Sequence, residues 1–169
     1  MLQRPFRSPH YIISNAGLVG EGRTLRPGEI TMSHPGVLFL DELPEFNHTA
    51  LESLRQPLED KVVTISRVSG SVTYSASLML VAAMNPCPCG YYTHPTKECS
   101  CSPSTITRYQ KRLSGPLLDR VDVFVKVPAV EYEKLVEDQQ SEDFSRPRLR
   151  VEEAREIQGG AVQGMRLLL

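Results

Sequence analysis

No apolar run in the sequence approaches the roughly 18 residues that a membrane-spanning helix requires. Nor do Met1-Leu2-Gln3-Arg4-Pro5 open a charged-then-apolar signal peptide. No membrane partner is expected, therefore, and a cytoplasmic location is. Net charge is nearly absent: 19 basic residues face 20 acidic ones, giving −1 and no overall field toward nucleic acid or anionic lipid. Any such binding has to be local. Lysine is scarce, so arginine, the better planar partner for phosphate and carboxylate, supplies most of the positive charge. Cysteine is confined to residues 87–101, which argues against a disulfide framework spread through a small secreted fold. Internal repeats and low-complexity tracts are lacking too. What remains over 169 residues is 40% apolar and 23% charged, an ordinary globular composition. A chain of this length buries roughly 70% of its extended surface on folding, enough for a core without covalent staples.

Arg4 to Pro35, rich in Gly, Pro, Ser and His, predict loop with short elements. Gly36-Val37-Leu38-Phe39-Leu40 is a continuous apolar run, too short for a helix, and predicts a buried parallel strand ending at Asp41-Glu42. Ala50, Leu51, Leu54 and Leu58 recur at helical spacing behind Asn47 as N-cap, with Pro57 straining or ending the last turn. Val62 to Ser66 and Ser71 to Tyr74 flank Val68-Ser69-Gly70 as a hairpin. Ser77 to Met84 predicts a second buried strand stopped by Asn85-Pro86. A cysteine-rich loop follows to Pro103, then a helix over Thr105 to Ser114 and a third strand over Asp122 to Val127. An acidic helix is expected over Glu131 to Asp138, then a polar Pro-containing segment to Arg150 and a short Glu-Arg helix. The order strand, helix, hairpin, strand, helix, strand is α/β with a parallel sheet.

Open α/β sheets bind ligands beyond the C-terminal ends of their strands, where Asp41 and Glu42 stand. In nucleoside-triphosphatase chemistry one such carboxylate holds Mg²⁺ and the next polarises the attacking water; the bland counterpart is a strand that ends in solvated acids. Asn85, at the neighbouring strand tip, either orients that water or merely turns the chain before proline. Arg120 either forms a surface ion pair with Asp119 or Asp122 or serves as an arginine finger for a neighbour's site. Such a hydrolase needs a phosphate cradle, G-x-x-x-x-G-K-[ST]. Gly17 to Thr24 nearly fits, but Pro27-Gly28 stop any helix within a turn and Arg23 is no substitute for the compact lysine. Cys87-Pro88-Cys89 and Cys99-Ser100-Cys101 supply enough thiolates for one tetrahedral Zn²⁺, with reduced loop cysteines as the alternative and His94 as a substitute ligand. Lys61 and Arg67 on the hairpin are either a solvated face or, in a ring with inward hairpins, contacts to a nucleic-acid backbone.

Six motifs in order, Arg4 to His10, Arg26 to Ile30, Gly36 to Phe46, Leu54 to Asp60, Asn85 to Gly90 and Gly115 to Asp122, resemble the magnesium-chelatase-like AAA+ ATPases. Within these the chain is most similar to the bacterial competence-associated branch-migration helicase group, over about residues 4–130. The resemblance implies a partial AAA+ P-loop NTPase core, with a helix-2 insert and a pre-sensor-1 hairpin. Residues 1–128 would be the C-terminal part of that core and 129–169 the start of a helical lid with a truncated or aberrant end. It further implies Walker B carboxylates Asp41 and Glu42, sensor 1 Asn85, trans arginine finger Arg120, ATP and Mg²⁺ as cofactors with Asp41 on the metal, a homo-oligomeric ring, a hexamer, and DNA as partner. The family's phosphate loop and first sheet strand have no counterpart in the sequence. That strand would lie between those expected at 78–84 and 123–127, so the chain alone is expected to expose two strand edges and fold poorly. Rival expectations are a chelatase-type motor acting on a protein and a non-catalytic zinc-knuckle module binding DNA.

Overall fold

The computed structural model describes residues 4–20, 26–67, 70–128 and 143–166. They fall into two units, Met1–Val127 and Pro128–Leu169. In chain order the first unit carries β1 (Phe6–Arg7), α1 (Asn15–Val19), α2 (Glu29–Met32), β2 (Val37–Leu40), a 3₁₀ turn (Leu43–Glu45), α3 (His48–Glu52) and α4 (Arg55–Asp60). It continues with β3 (Val62–Arg67), β4 (Gly70–Ser75), β5 (Met79–Ala82), α5 (Pro103–Gln110) and α6 (Gly115–Leu118). The second unit carries α7 (Ser145–Arg166).

The sheet is parallel, in the order β1-β2-β5. Its central strand β2 buries Leu38 and Leu40 completely and leaves Val37 and Phe39 half-exposed, the alternation that the pleat imposes. Leu38 and Leu40 join Leu18, Ile30, Ala50, Leu51, Leu54 and Leu117 in one core. Burying each such leucine stabilises the fold by about 1.5–3 kcal/mol. The antiparallel hairpin β3–β4 adds Val63 and Ile65 to that core and turns its outer face, with the Thr64–Thr73 and Ser66–Ser71 hydroxyl pairs at 3.0 Å, to solvent. Its base is fixed by the Ala76 N–H, which donates to the Lys61 carbonyl at 2.7 Å.

Several expectations need correction. The strand β1, inside the stretch expected as loop, pairs with β2 in register Phe6 to Val37. The helix expected from Asn47 to Leu58 is two helices. Asn47 caps α3, its Oδ1 accepting from the Thr49 N–H at 2.9 Å, but the helix breaks at Ser53-Leu54. Pro57 then sits in the first turn of α4, where no intrahelical N–H is needed, so it neither strains nor ends the helix. The strand β5 is partly exposed rather than buried: Met79 is 58% and Val81 39% exposed, on the sheet face they share with exposed Phe6 and half-exposed Val37 and Phe39. Asp122 to Val127 form no strand. Val123, Phe124, Val125 and Val127 are exposed, and the segment pairs with none of the described strands, without which β-forming residues have no ladder. The acidic helix expected over Glu131 to Asp138 lies outside the described residues. In the second unit α7 is longer than expected, beginning at Ser145, because Pro147 again falls in a first turn.

Candidate functional site

Pairing of Leu40 with Ala82 brings the C-terminal ends of β2 and β5 side by side. Beyond them the Ala83 N–H donates to the Leu40 carbonyl at 3.0 Å, and the Leu43 N–H donates to the Ala83 carbonyl at 2.9 Å. These bonds lock together the two turns that carry Asp41-Glu42 and Asn85. All three side chains are exposed. Asp41 Oδ1 accepts from the Glu42 N–H at 2.9 Å. Among the described residues, nothing hydrogen-bonds its other oxygen, the Glu42 carboxylate or the Asn85 amide. Glu42 adopts a left-handed conformation, φ 52°, which costs a non-glycine residue roughly 1–2 kcal/mol. The chain turns there through a residue poorly suited to the turn, and a free Asp41 oxygen, the Glu42 carboxylate and the Asn85 amide stand at one end of the sheet. An oxygen-seeking divalent cation fits that donor set.

Behind this end stands α5, started by Ser102, whose Oγ accepts from the Thr105 N–H, with Pro103 at the first helical position. Its buried Tyr109 has its phenol pushed up, first by burial and then by the charges of Glu45 and Glu42. Helix α5 thus abuts the acidic tip of β2. The helix expected over Thr105 to Ser114 runs instead from Pro103 to Gln110, and Arg112, just past its end, pairs with Glu45 at 2.7 Å. That pair borders a cleft of about 590 Å³ lined by Tyr11, Ile13, Phe46 and His48 among others.

Arg120 is not paired with Asp119 or Asp122. One guanidinium nitrogen donates to Glu59 and the other to the Pro116 carbonyl at 2.6 Å. The Glu59 carboxyl is held below its ordinary range, chiefly by that hydrogen bond. Glu59 and Glu45 escape a sequence-based search because their partners lie 61 and 67 residues away, with no period to betray them.

The near-match phosphate loop fails on geometry as well as sequence. Gly17 lies within helix α1, not in a loop leaving a buried strand, and Gly20 is its C-cap at φ 105°. Glu21 to Arg23 and the two residues that follow are outside the described set. The hairpin expected around Val68-Ser69-Gly70 is present, with the turn residues 68–69 outside the described ones. Its two cations stand at opposite ends. Lys61, left-handed at φ 60°, lies at the base with its ammonium on the Leu58 carbonyl at 2.7 Å, while Arg67 occupies the last position before the turn.

The four cysteines converge. Sγ atoms of Cys87, Cys89 and Cys99 are 3.4, 3.7 and 3.6 Å apart, and those of all four lie within 4.8 Å of one another. A disulfide needs about 2.05 Å, so these are thiols. The Tyr91 backbone N–H, with neighbouring thiols, lowers the Cys89 thiol to about 5. For Cys99 the Cys101 N–H pulls down, but burial and the adjoining sulfurs prevail and push it up to about 12. Without a cation one thiolate suppresses ionisation of the next. His94 stands apart, its Nδ1 accepting from the Thr96 and Lys97 N–H groups at 3.2 and 3.1 Å.

No helix among the described residues is long and apolar enough to cross a membrane. Comparison with known proteins agrees with a mixed α/β core of P-loop NTPase type. The family profile described as "Magnesium chelatase, subunit ChlI", a family of AAA+ ATPase-like proteins, matches residues 1–135. Competence protein ComM of Haemophilus influenzae is 52% identical over 126 residues, which cover 75% of this chain and 24% of the relative. The uncharacterized protein YifB of Escherichia coli is 49% identical over 126 residues, with the same coverage of 75% and 24%. The chain thus spans about a quarter of the length of the curated relatives it matches. By the extent of the profile match and the identity to these relatives, the chain belongs to the magnesium chelatase ChlI-subunit family.

Proposed function

We propose that the chain forms the metal-binding and hydrolytic part of a ring-forming ATPase motor that moves on DNA. The reading rests on one observation: a free oxygen of Asp41, the Glu42 carboxylate and the Asn85 amide stand exposed at the same end of a parallel sheet. Mg·ATP supplies a γ-phosphoryl group with its charge partly neutralised, so the protein's share is positioning and electrostatics. Asp41 would hold the ion through its free oxygen. Glu42 would accept the proton of the attacking water, and the Asn85 amide would orient that water. Arg120 of a second copy would face the charge that develops on the phosphoryl oxygens. It would leave Glu59 to do so, a carboxylate that is itself 63% exposed.

DNA as the track draws on Arg67 at the hairpin turn and on the name of the H. influenzae relative, which refers to competence. A protein track, as in a chelatase-type motor, is favoured by one feature: Lys61 lies at the hairpin base, leaving Arg67 as the hairpin cation nearest the turn.

A chimera in which this chain's segment replaces the matching 126 residues of the H. influenzae relative tests both readings. ATP turnover should rise with added DNA, and Arg67→Ala should remove most of the stimulation. Turnover indifferent to DNA in the parent chimera contradicts the DNA track and supports a protein one. A chimera with no turnover under either condition contradicts the motor.

A further inference from the structure

We propose that Cys87, Cys89, Cys99 and Cys101 bind one Zn²⁺ as four thiolates, forming a knuckle that staples the Asn85 end of β5 to the start of α5. Four ligands 2.3 Å from a tetrahedral zinc lie about 3.8 Å from each other. The sulfurs already stand at 3.4–3.7 Å for three pairs and within 4.8 Å for all, so no pair has to change its separation by more than about 1 Å to take up the ion. A set of four sulfurs without carboxylate or water selects a soft, tetrahedral ion.

The backbone is shaped around the sulfurs. Gly90, at φ 80°, turns the chain after Cys87-Pro88-Cys89 so that its N–H donates to the Cys87 carbonyl at 3.0 Å. The Tyr92 N–H donates to Cys87 Sγ at 3.3 Å, the contact that stabilises a thiolate. Cys87 is fully buried, so a charged sulfur there requires a counter-charge, and a divalent cation supplies it. On binding, four Zn–S bonds form and the remaining thiol protons pass to the buffer, with no change of oxidation state.

The ligands come from both ends of one loop. Cys87 follows Asn85 by two residues, and Cys101 directly precedes Ser102, the cap of α5. Gln110, at the far end of α5, donates from Nε2 to the Pro86 carbonyl at 3.2 Å. Closing the loop between Cys87 and Cys99 therefore ties β5 to α5 at a second point. The metal assignment stands without the ATPase reading; only its consequence for Asn85 rests on it.

Metal analysis of the purified 169-residue chain, produced in reducing buffer, tests the proposal. One zinc per chain is expected, falling to none in the double variant C99S/C101S. The conservative variant C101H keeps one metal, and cobalt exchanged into the parent chain shows the intense absorption of a tetrahedral tetrathiolate. Chelation should accelerate amide exchange across residues 86–105 while the β3–β4 amides keep their protection. Metal-free protein with four titratable thiols, iron in place of zinc, or a mass lowered by disulfide formation would each overturn it.

Discussion

Glu42→Gln is expected to lower ATP turnover in the chimera by about 10²–10⁴-fold, the range that a positioned general base contributes, while nucleotide binding persists. Glutamine is isosteric with glutamate and equally unsuited to the left-handed conformation at φ 52°, so the turn and the neighbouring Asp41 stay in place. What is lost is the capacity to accept a proton. Glu42→Gly separates the two roles of the position. It relieves a backbone strain of roughly 1–2 kcal/mol and should raise the thermal midpoint even as it abolishes turnover. Steady-state hydrolysis and a melting curve on the same samples read both effects. Turnover within a few-fold of the parent would remove Glu42 from the chemistry.

Gly36→Ala should destabilise the first unit by about 3 kcal/mol or more and lower the midpoint by roughly 6–12 °C. Gly36 precedes β2 where Pro5 crosses it, and a Cβ there would lie 1.9 Å from the Pro5 carbonyl oxygen. Backbone cannot swing aside as a side chain does, so the chain around Pro5 must move. That movement breaks the bond from the Val37 N–H to the Pro5 carbonyl, 2.9 Å long, and with it the β1–β2 pairing. Strand β2 also carries Asp41 and Glu42, so the damage reaches the candidate site. A circular-dichroism melt of the dilute chain measures it, and a midpoint within about 2 °C of the parent contradicts the close approach.

The parts of this fold legible in the sequence are those whose cause is local. Val37 to Leu40 is too apolar and too short to be anything but a buried strand, and the acids that end it mark a ligand-facing tip. Asn47 announces a helix start because its side chain accepts a hydrogen bond from an N–H two residues on, whereas Ser102, which caps α5 in the same way, lies in a cysteine-rich stretch that predicts loop to Pro103. The hairpin was legible from two β-prone arms around a glycine. Distant partners left no mark. The two-residue strand β1 exists only because β2 runs beside it, and Asp122 to Val127, equally β-prone, pairs with no described strand. Arg120 illustrates the same limit: acids one and two residues away looked like its partners, yet the fold delivers Glu59. The cysteines fall between. Their C-x-C spacing leaves a zinc site and reduced loop thiols as alternatives, and only the folded loop brings the two pairs to one point.

In the proposed motor, carboxylate and guanidinium from two copies of the chain act on one triphosphate. Mixing two inactive variants of the chimera, Glu42→Gln and Arg120→Ala, tests it most directly. Where an Arg120→Ala subunit supplies Glu42 and a Glu42→Gln neighbour supplies Arg120, one interface is whole, so the mixture is expected to regain ATP turnover that neither variant shows alone. A mixture as inactive as its parts, or an Arg120→Ala protein with undiminished turnover, would contradict the shared site.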